Sequence, residues 1–145
     1  MVTFHSTRLE LTTTASFSCH DISADLQAFV NANGIRNGLL VAAGQHTTTA
    51  LVVNEAEERL LGDIERHFLA LTPPDRAYAH NDLHLRPGIP ADEPRNAHAH
   101  LIGLLGLGRY QAVLLVELDG PRQRQVLLQL CGDGSAVGGR DSALD

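Results

Sequence analysis

The sequence contains no lysine and no tryptophan. Its 11 basic residues are all arginine, set against 17 acidic residues, and the formal net charge is −6. Without lysine the chain can form neither a Schiff-base lysine site nor a nucleotide-binding P-loop, since both need that side chain. Proteins that bind nucleic acid carry clustered positive charge. The charge balance therefore predicts no nucleic-acid partner.

Cysteines and long apolar runs are also scarce. Cys19 and Cys131 are the only two cysteines, whereas a small secreted domain would use a denser disulfide framework, so we expect two free thiols. No apolar run approaches the ~20 residues that a membrane-spanning helix needs. Residues 1–14 lack the apolar core of a signal peptide. These features predict a cytoplasmic protein with no membrane partner.

What the sequence does contain is enough for one domain, with 145 residues of which 43% are hydrophobic. Runs rich in β-branched residues, and continuous apolar runs, predict strands. Apolar residues at helical spacing predict helices, the first of which Ser23 would cap. The predicted strands are residues 2–14 and 38–44, and residues 46–54 are predicted to form a turn followed by another strand. The predicted helices are residues 21–34 and 55–71.

A turn signal, Asp119-Gly120, interrupts the apolar segment 112–130. Such a signal between two apolar runs predicts a β-hairpin. Together the elements predict a compact α+β domain over residues 1–134, a mostly antiparallel sheet with two or three helices. A flexible tail would follow over residues 135–145, which are rich in glycine and serine.

Histidines are unusually frequent, with eight in the chain. Imidazole can bind metals, relay protons or donate to phosphate near neutral pH. Residues 75–98 have little periodicity, and a long segment of that kind inside a compact domain is usually functional or disordered. His5, His20 and His67 are interpreted as solvated surface residues. The histidines that could form a site are His46, His80, His84, His98 and His100.

The pair His98 and His100 depends on local conformation. On a strand, residues two apart point to the same side. On a helix they are ~200° apart, and only one of them could reach a site. Leu101, Leu104 and Leu105 follow at helical spacing, which favours a helix with only one of these histidines in the site.

Each candidate also has a plain structural interpretation. His46 could simply cap the end of a strand, and His80 and His100 could belong to a polar loop held by hydrogen bonds. Asn54-Glu55 is best interpreted, from the residues alone, as a helix N-cap with a first-turn acid. From the sequence alone, both interpretations of the histidines stay open.

Four motifs, in order along most of the chain, resemble the YjbQ family, also called the secondary thiamine-phosphate synthase family. They are GLLVAAGQHTTTALVVNE, YAHND, DEPRNAHAHL and LGRYQAVLLVELDGPRQRQVLLQLCG. The resemblance implies a compact α+β domain, a homotrimer, and weak thiamine-phosphate synthase activity. It also implies a divalent metal ion, Zn or Mg, or a small phosphate-bearing molecule held by the shared histidines.

Carried over by position, the resemblance implies a set of site residues in this chain. Its implied metal ligands are His46, His80 and His100. Its second choices are His98 and Asp82. The implied catalytic residues are His46, Glu55, His80, His100 and Glu117, and the implied ligand-binding residues are Thr47, Thr48, Asn54, Asn96, Gln111 and Arg122.

Two classes of function follow from these residues. One is a transferase that joins a pyrimidine diphosphate to a thiazole phosphate, and the other is a metal- or small-anion-binding protein with hydrolase-like chemistry. One departure from the family pattern stands out, because a strand usual between His100 and Leu105 is missing here. Its loss would leave a sheet edge to be covered. We also expect the imidazoles of His46, His80 and His100 to lie within roughly 8 Å of one another, as ligands on one metal with ~2 Å bonds would.

Overall fold

A computed structural model describes residues 1–103 and 112–134 of the chain. Over these residues it has two three-stranded antiparallel sheets and three α-helices, which confirms the predicted α+β class. None of the helices in this part is long and apolar enough to cross a membrane. In chain order the elements are β1 (Thr3–Thr12), β2 (Ser18–Asp21), α1 (Ser23–Ala32), β3 (Asn37–Gly44), β4 (Thr49–Asn54), α2 (Glu58–Leu71), α3 (Ala97–Ile102), β5 (Ala112–Glu117) and β6 (Gln123–Asp133).

The two sheets have the strand orders β1-β6-β3, here called sheet A, and β2-β5-β4, called sheet B. The predicted hairpin over residues 112–130 is therefore wrong, since β5 and β6 are the central strands of different sheets. The turn signal marks a real change of direction, but the connection 118–122 carries the chain from one sheet to the other. Gly120 is needed there, because a Cβ atom at this position would lie 2.3 Å from the Ala15 carbonyl oxygen.

The strand β5 is buried on both faces, which explains its continuous apolar sequence. Leu114 and Val116 pack with α3 and the apolar side of α2, whereas Leu115 packs with Val126 and Leu128 of β6. Helices α2 and α3 thus lie on one face of sheet B and sheet A on the other, where Leu26 of α1 joins the cluster around Leu115. Successive side chains of a strand point to opposite faces, so Glu117 shares the face of Leu115 and points toward sheet A.

Both long predicted helices are present, but their N-termini differ from the predictions. Ser23 is the first residue of α1 rather than its cap; its backbone N–H donates to the carboxylate of Asp21. Helix α2 begins at Glu58 and is capped by Glu57, whose carboxylate accepts hydrogen bonds from two backbone N–H groups. The interpretation of Asn54-Glu55 as a helix cap is therefore wrong. Asn54 ends β4 instead.

Both cysteines are free, as predicted. Cys19 lies on β2 and packs against the core beneath α2. Burial, with a contribution from the nearby Glu65 carboxylate, raises the pKa of the Cys19 thiol to about 11. The thiolate is the reactive form of cysteine, so we expect Cys19 to be a structural residue.

The outer face of sheet A exposes apolar side chains that lie side by side. Phe4 and Leu39 are both in register with Cys131, and they are 79% and 65% exposed. Soluble monomers rarely expose contiguous apolar patches of this kind. Together with the family resemblance, this patch leads us to expect a homotrimer.

Light scattering should accordingly give about three chain masses. Leu39→Glu should shift the particle to a smaller mass, because a charge would be desolvated in the contact. Leu85→Glu is the matched control, since Leu85 is similarly exposed at 69% but lies outside the sheet. A wild-type monomer at micromolar concentration would contradict the expectation.

Candidate functional site

A cleft of about 330 Å³ opens where four segments meet at one end of the sheets. The segments are the β3–β4 loop, residues 90–94, the start of α3, and the connection between β5 and β6. A volume near the lower end of the usual range for ligand sites suits a small molecule. Of the residues predicted for the site, five line this cleft: His46, Thr47, Asn96, His100 and Arg122.

His46 lies on the loop between β3 and β4, with its ring facing the cleft. The Thr48 backbone N–H donates to its Nδ1 atom over 3.2 Å, and Thr48 Oγ1 lies 3.0 Å from the same nitrogen. Partial burial lowers the pKa of His46, and Arg124 lowers it further, against opposition from Glu117 and Asp119. We therefore expect a neutral imidazole at pH 7.

Beneath His46 lies a buried ion pair between Glu117 and Arg124, whose side chains are 0% and 3% exposed. Arg124 Nε donates to Glu117 Oε2 over 2.6 Å, and Nη2 donates to Oε1 over 2.9 Å. The Thr13 hydroxyl and the backbone N–H groups of residues 118 and 119 complete the shell of the carboxylate. Burial raises the pKa of Glu117, but these hydrogen bonds outweigh it and hold the pKa below the usual value.

This arrangement argues against a catalytic role for Glu117. Both carboxylate oxygens already accept hydrogen bonds, so no lone pair is left for a metal ion or for a proton taken from a substrate. Glu117 does not line the cleft. It acts instead as a positioning residue that fixes Arg124.

His80 and His100 lie edge to face, with ring centroids 4.9 Å apart. His100 also lines the cleft beside His46. Burial lowers the pKa of His100, and the neighbouring His80 and then His46 lower it further. On the far side of the pair, His80, His100, Tyr78 and Leu101 line a mainly apolar hollow of about 260 Å³. His100 is therefore the link between the polar cleft and the apolar hollow.

The predicted helix around His98 and His100 is present as α3, and only His100 lines the cleft. Asn96, at the N-cap of α3, donates from Nδ2 to Asp119 over 2.7 Å. In the described part of the chain, Asn96 Oδ1 and His98 Nδ1 are buried and have no hydrogen-bond partner. Burial lowers the pKa of His98, while Asp119 opposes the shift.

Several predicted residues do not reach the cleft. Asn54 and Glu55 are exposed, five and six residues beyond Thr49 along β4, which places them roughly 16 Å or more away along the strand. Thr48 is buried behind His46 rather than in the cleft wall. The second choice Asp82 is exposed. Three predictions concern residues outside the described part of the chain. They are the role of Gln111, the strand that is missing after His100, and the flexible tail.

Sequence reasoning missed several residues that shape the site. Asp92, Glu93 and Asp119 line the cleft and give it an acidic wall. Arg86 stabilises the loop between α2 and α3, because its guanidinium donates to Glu93 over 3.0 Å and to the His80 carbonyl over 3.2 Å. Arg124 was also missed, although an arginine sharing a strand face with three apolar residues is a usable sign of a buried ion pair.

The three histidines predicted to bind a metal ion do not fit that role in this arrangement. Nδ1 of His46 accepts a hydrogen bond from the Thr48 backbone N–H, and both carboxylate oxygens of the buried Glu117 already accept hydrogen bonds. Within residues 1–103 and 112–134, no group of three or more His, Cys, Asp or Glu side chains is placed to hold a metal ion. The metal stays a prediction that the donor geometry does not support.

The lowered pKa values of three histidines predict how the free energy of unfolding depends on pH. His46, His98 and His100 bind a proton less readily in the folded chain than in the unfolded chain. At pH values above about 6.5 both states are neutral, and below it the unfolded state takes up protons first, so stability should fall as pH falls.

Urea unfolding midpoints at pH 7.5 and pH 5.5 test this expectation. His98→Gln should reduce the difference between the two midpoints, whereas His67→Gln, at an exposed position on α2, should leave it unchanged. Equal pH dependence in both variants would show that His98 does not contribute.

The family model described as "UPF0047 protein YjbQ-like" matches residues 7–133. A UPF0047 protein of Methanothermobacter thermautotrophicus is 33% identical over 134 residues, which cover 88% of this chain and 92% of the relative. The crystal structure of a YbjQ-like protein of unknown function from Sulfolobus solfataricus matches with a TM-score of 0.79 and 31% identity, covering 92% of this chain and all of that one. A hypothetical protein from Aeropyrum pernix matches with a TM-score of 0.75 and 34% identity, over 89% and 99% of the two chains.

Proposed function

The chain belongs to the YjbQ-like UPF0047 family, and within that fold we propose that its cleft binds a small phosphate-bearing molecule. The observation that carries the proposal is the convergence of Arg122, His46 and His100 from three different segments on one cleft. A guanidinium offers a planar fork of donors that suits phosphate oxygens. Imidazole adds a further donor near neutral pH.

The carboxylates that line the cleft constrain the rest of the ligand. Asp92, Glu93 and Asp119 present carboxylates. Glu93 is paired with Arg86 and Asp119 with Asn96 and Arg122, so the wall is acidic but partly compensated. Carboxylates accept hydrogen bonds and repel further negative charge. The ligand is therefore a phosphomonoester whose remaining polar groups are donors, such as hydroxyl or amino groups.

Calorimetric titration tests this proposal with a set of matched probes. Glycerol phosphate and phosphoethanolamine should bind, and glycerol and ethanolamine should not. Titration with Zn²⁺ in the same buffer tests the alternative that the site binds a metal ion. Arg59→Gln is the matched control, because it removes one exposed positive charge on α2, away from the cleft. Absence of heat with all the phosphate esters would contradict the proposal.

Formation of thiamine phosphate, which the family resemblance implies, is the second candidate. The apolar hollow beside His100 favours it, because an aromatic ring could lie there with a phosphate in the cleft. Against it, a leaving pyrophosphate needs strong positive charge, and Arg122 is the only arginine in the described cleft wall. An assay that joins a pyrimidine diphosphate to a thiazole phosphate, with and without a chelator, distinguishes this activity from binding alone.

A further inference from the structure

The buried ion pair continues into a chain of hydrogen bonds that ends on the cleft histidine. Nη2 of Arg124 donates to Glu117 Oε1 over 2.9 Å and also to Thr48 Oγ1 over 3.0 Å. Thr48 is 0% exposed, as is Glu117. The ion pair and Thr48 are therefore shielded from water, whereas His46 is exposed.

Two of the hydrogen bonds in this chain have a direction fixed by chemistry, and they determine the third. A guanidinium can only donate, so the Thr48 hydroxyl must accept from Arg124. Its own hydrogen is then available to His46 Nδ1, which lies 3.0 Å away. The backbone N–H of Thr48, which can also only donate, points to the same nitrogen over 3.2 Å. The backbone N–H requires Nδ1 to be the unprotonated nitrogen, and the Thr48 hydroxyl then donates to the same atom.

We infer that Glu117, Arg124 and Thr48 are positioning residues that hold His46 as the Nε2–H tautomer, with the hydrogen of Nε2 directed at a ligand oxygen. A neutral imidazole carries one hydrogen. Because Nδ1 accepts hydrogen bonds, that hydrogen is on Nε2. No partner for Nε2 is found among the described residues. The identity of the ligand rests on the proposed function, but the tautomer does not.

This tautomer has a direct consequence for ligand choice. A metal ion binds an unprotonated ring nitrogen, and the other nitrogen then carries the hydrogen. For His46 that would set an Nδ1–H group against the Thr48 backbone N–H, so that one donor would face another. The chain of hydrogen bonds from Glu117 to His46 therefore favours a ligand oxygen over a metal ion at His46 Nε2. The same selection explains why Glu117 and Arg124 occupy otherwise apolar strand faces.

Nitrogen-15 NMR of the histidine rings at pH 7.5, without ligand, tests the inference. Wild-type His46 should give the signature of the Nε2–H tautomer. Thr48→Val removes the hydroxyl but keeps the backbone donor, so His46 should remain the Nε2–H tautomer with a shifted Nδ1 resonance. Because the ring loses one of the two contacts that hold it, the affinity for glycerol phosphate should fall roughly 5- to 10-fold. Thr48→Ser retains the hydroxyl and should behave as the wild type.

Each outcome has a separate meaning. An Nδ1–H signature in the wild-type protein would overturn the inference, even if phosphate esters bind and the proposed function stands. An Nε2–H signature supports it, even if no phosphate ester binds and the proposed function fails. Should Thr48→Val not fold, the wild-type spectrum alone decides. An unchanged Nδ1 resonance together with an unchanged affinity in folded Thr48→Val would remove the Thr48 hydroxyl from the chain of hydrogen bonds.

Discussion

Arg124→Met should destabilise the protein by about 3–5 kcal/mol, the usual cost of removing one partner from a buried ion pair. The reason is the environment of Glu117, which is 0% exposed and takes two of its hydrogen bonds from Arg124. Without the guanidinium, the carboxylate must remain as an uncompensated charge or take up a proton. Urea unfolding at pH 7.5 measures the loss.

A double variant separates the ion pair from simple damage to the core. Glu117→Leu combined with Arg124→Met removes both charges, and replacing a buried pair by apolar residues is often neutral or stabilising. We expect the double variant to be more stable than Arg124→Met alone. Arg59→Met, at an exposed position on α2, should change stability by less than about 0.5 kcal/mol. A cost for Arg124→Met as small as for Arg59→Met would contradict the account of the ion pair.

Arg122→Gln should weaken the binding of a phosphomonoester about 10- to 100-fold. Hydrogen bonds to charged groups contribute roughly 1.5–3 kcal/mol, which corresponds to that range of affinity. Arg122→Lys should show a smaller loss, because a point charge replaces the planar fork. The expected effect lies on binding and not on folding.

Stability should change little in these variants. The Arg122 side chain is 46% exposed and lies 3.7 Å from Asp119, and exposed ion pairs contribute at most ~1 kcal/mol. Calorimetric titration with glycerol phosphate, together with thermal melts, separates the two effects. Unchanged affinity in Arg122→Gln would remove Arg122 from the site, and a large loss of melting temperature would assign it a structural role.

The sequence predicted the elements of the fold better than their pairing. The apolar segments of β5 and β6 were both identified as strands, because their composition is local information. Their separation into two sheets depends on β1, β2, β3 and β4, which supply the partners on either side. A turn signal shows that the chain reverses direction, but it does not show which strand lies beside which. The hairpin prediction failed for that reason.

The site was predicted in part, for a similar reason. The helix predicted at His98 and His100 is present, and it places His100, but not His98, in the cleft. Leu104 and Leu105, whose spacing favoured that helix, lie outside the described residues. The positions of Asp92 and Glu93 and the hydrogen bonds of Arg86 depend on how residues 75–96 fold back. The sequence of that segment has no periodic pattern from which its fold could be predicted. Glu117 was predicted as a catalytic residue, and its burial could have been inferred because it continues an apolar stripe with Leu115. Arg124 was missed, although it continues an apolar stripe with Val126 in the same way.

Which tautomer His46 adopts could not be predicted from composition or spacing. It depends on the direction of two hydrogen bonds from Thr48, and these follow from the loop between β3 and β4 and from the Arg124 guanidinium behind it. The polar residues in this part of the sequence looked like ordinary β-formers. Their function becomes visible only when sheet A and sheet B are packed together.

A crystal structure of the protein grown with glycerol phosphate would test the central claim most directly. The account predicts a phosphoryl group in the cleft, with oxygens at hydrogen-bond distance, about 3 Å, from His46 Nε2 and from the Arg122 guanidinium. The glycerol hydroxyls should face Asp92 or Glu93. A metal ion bound to His46 Nε2, or a phosphate located only outside the cleft, would contradict it.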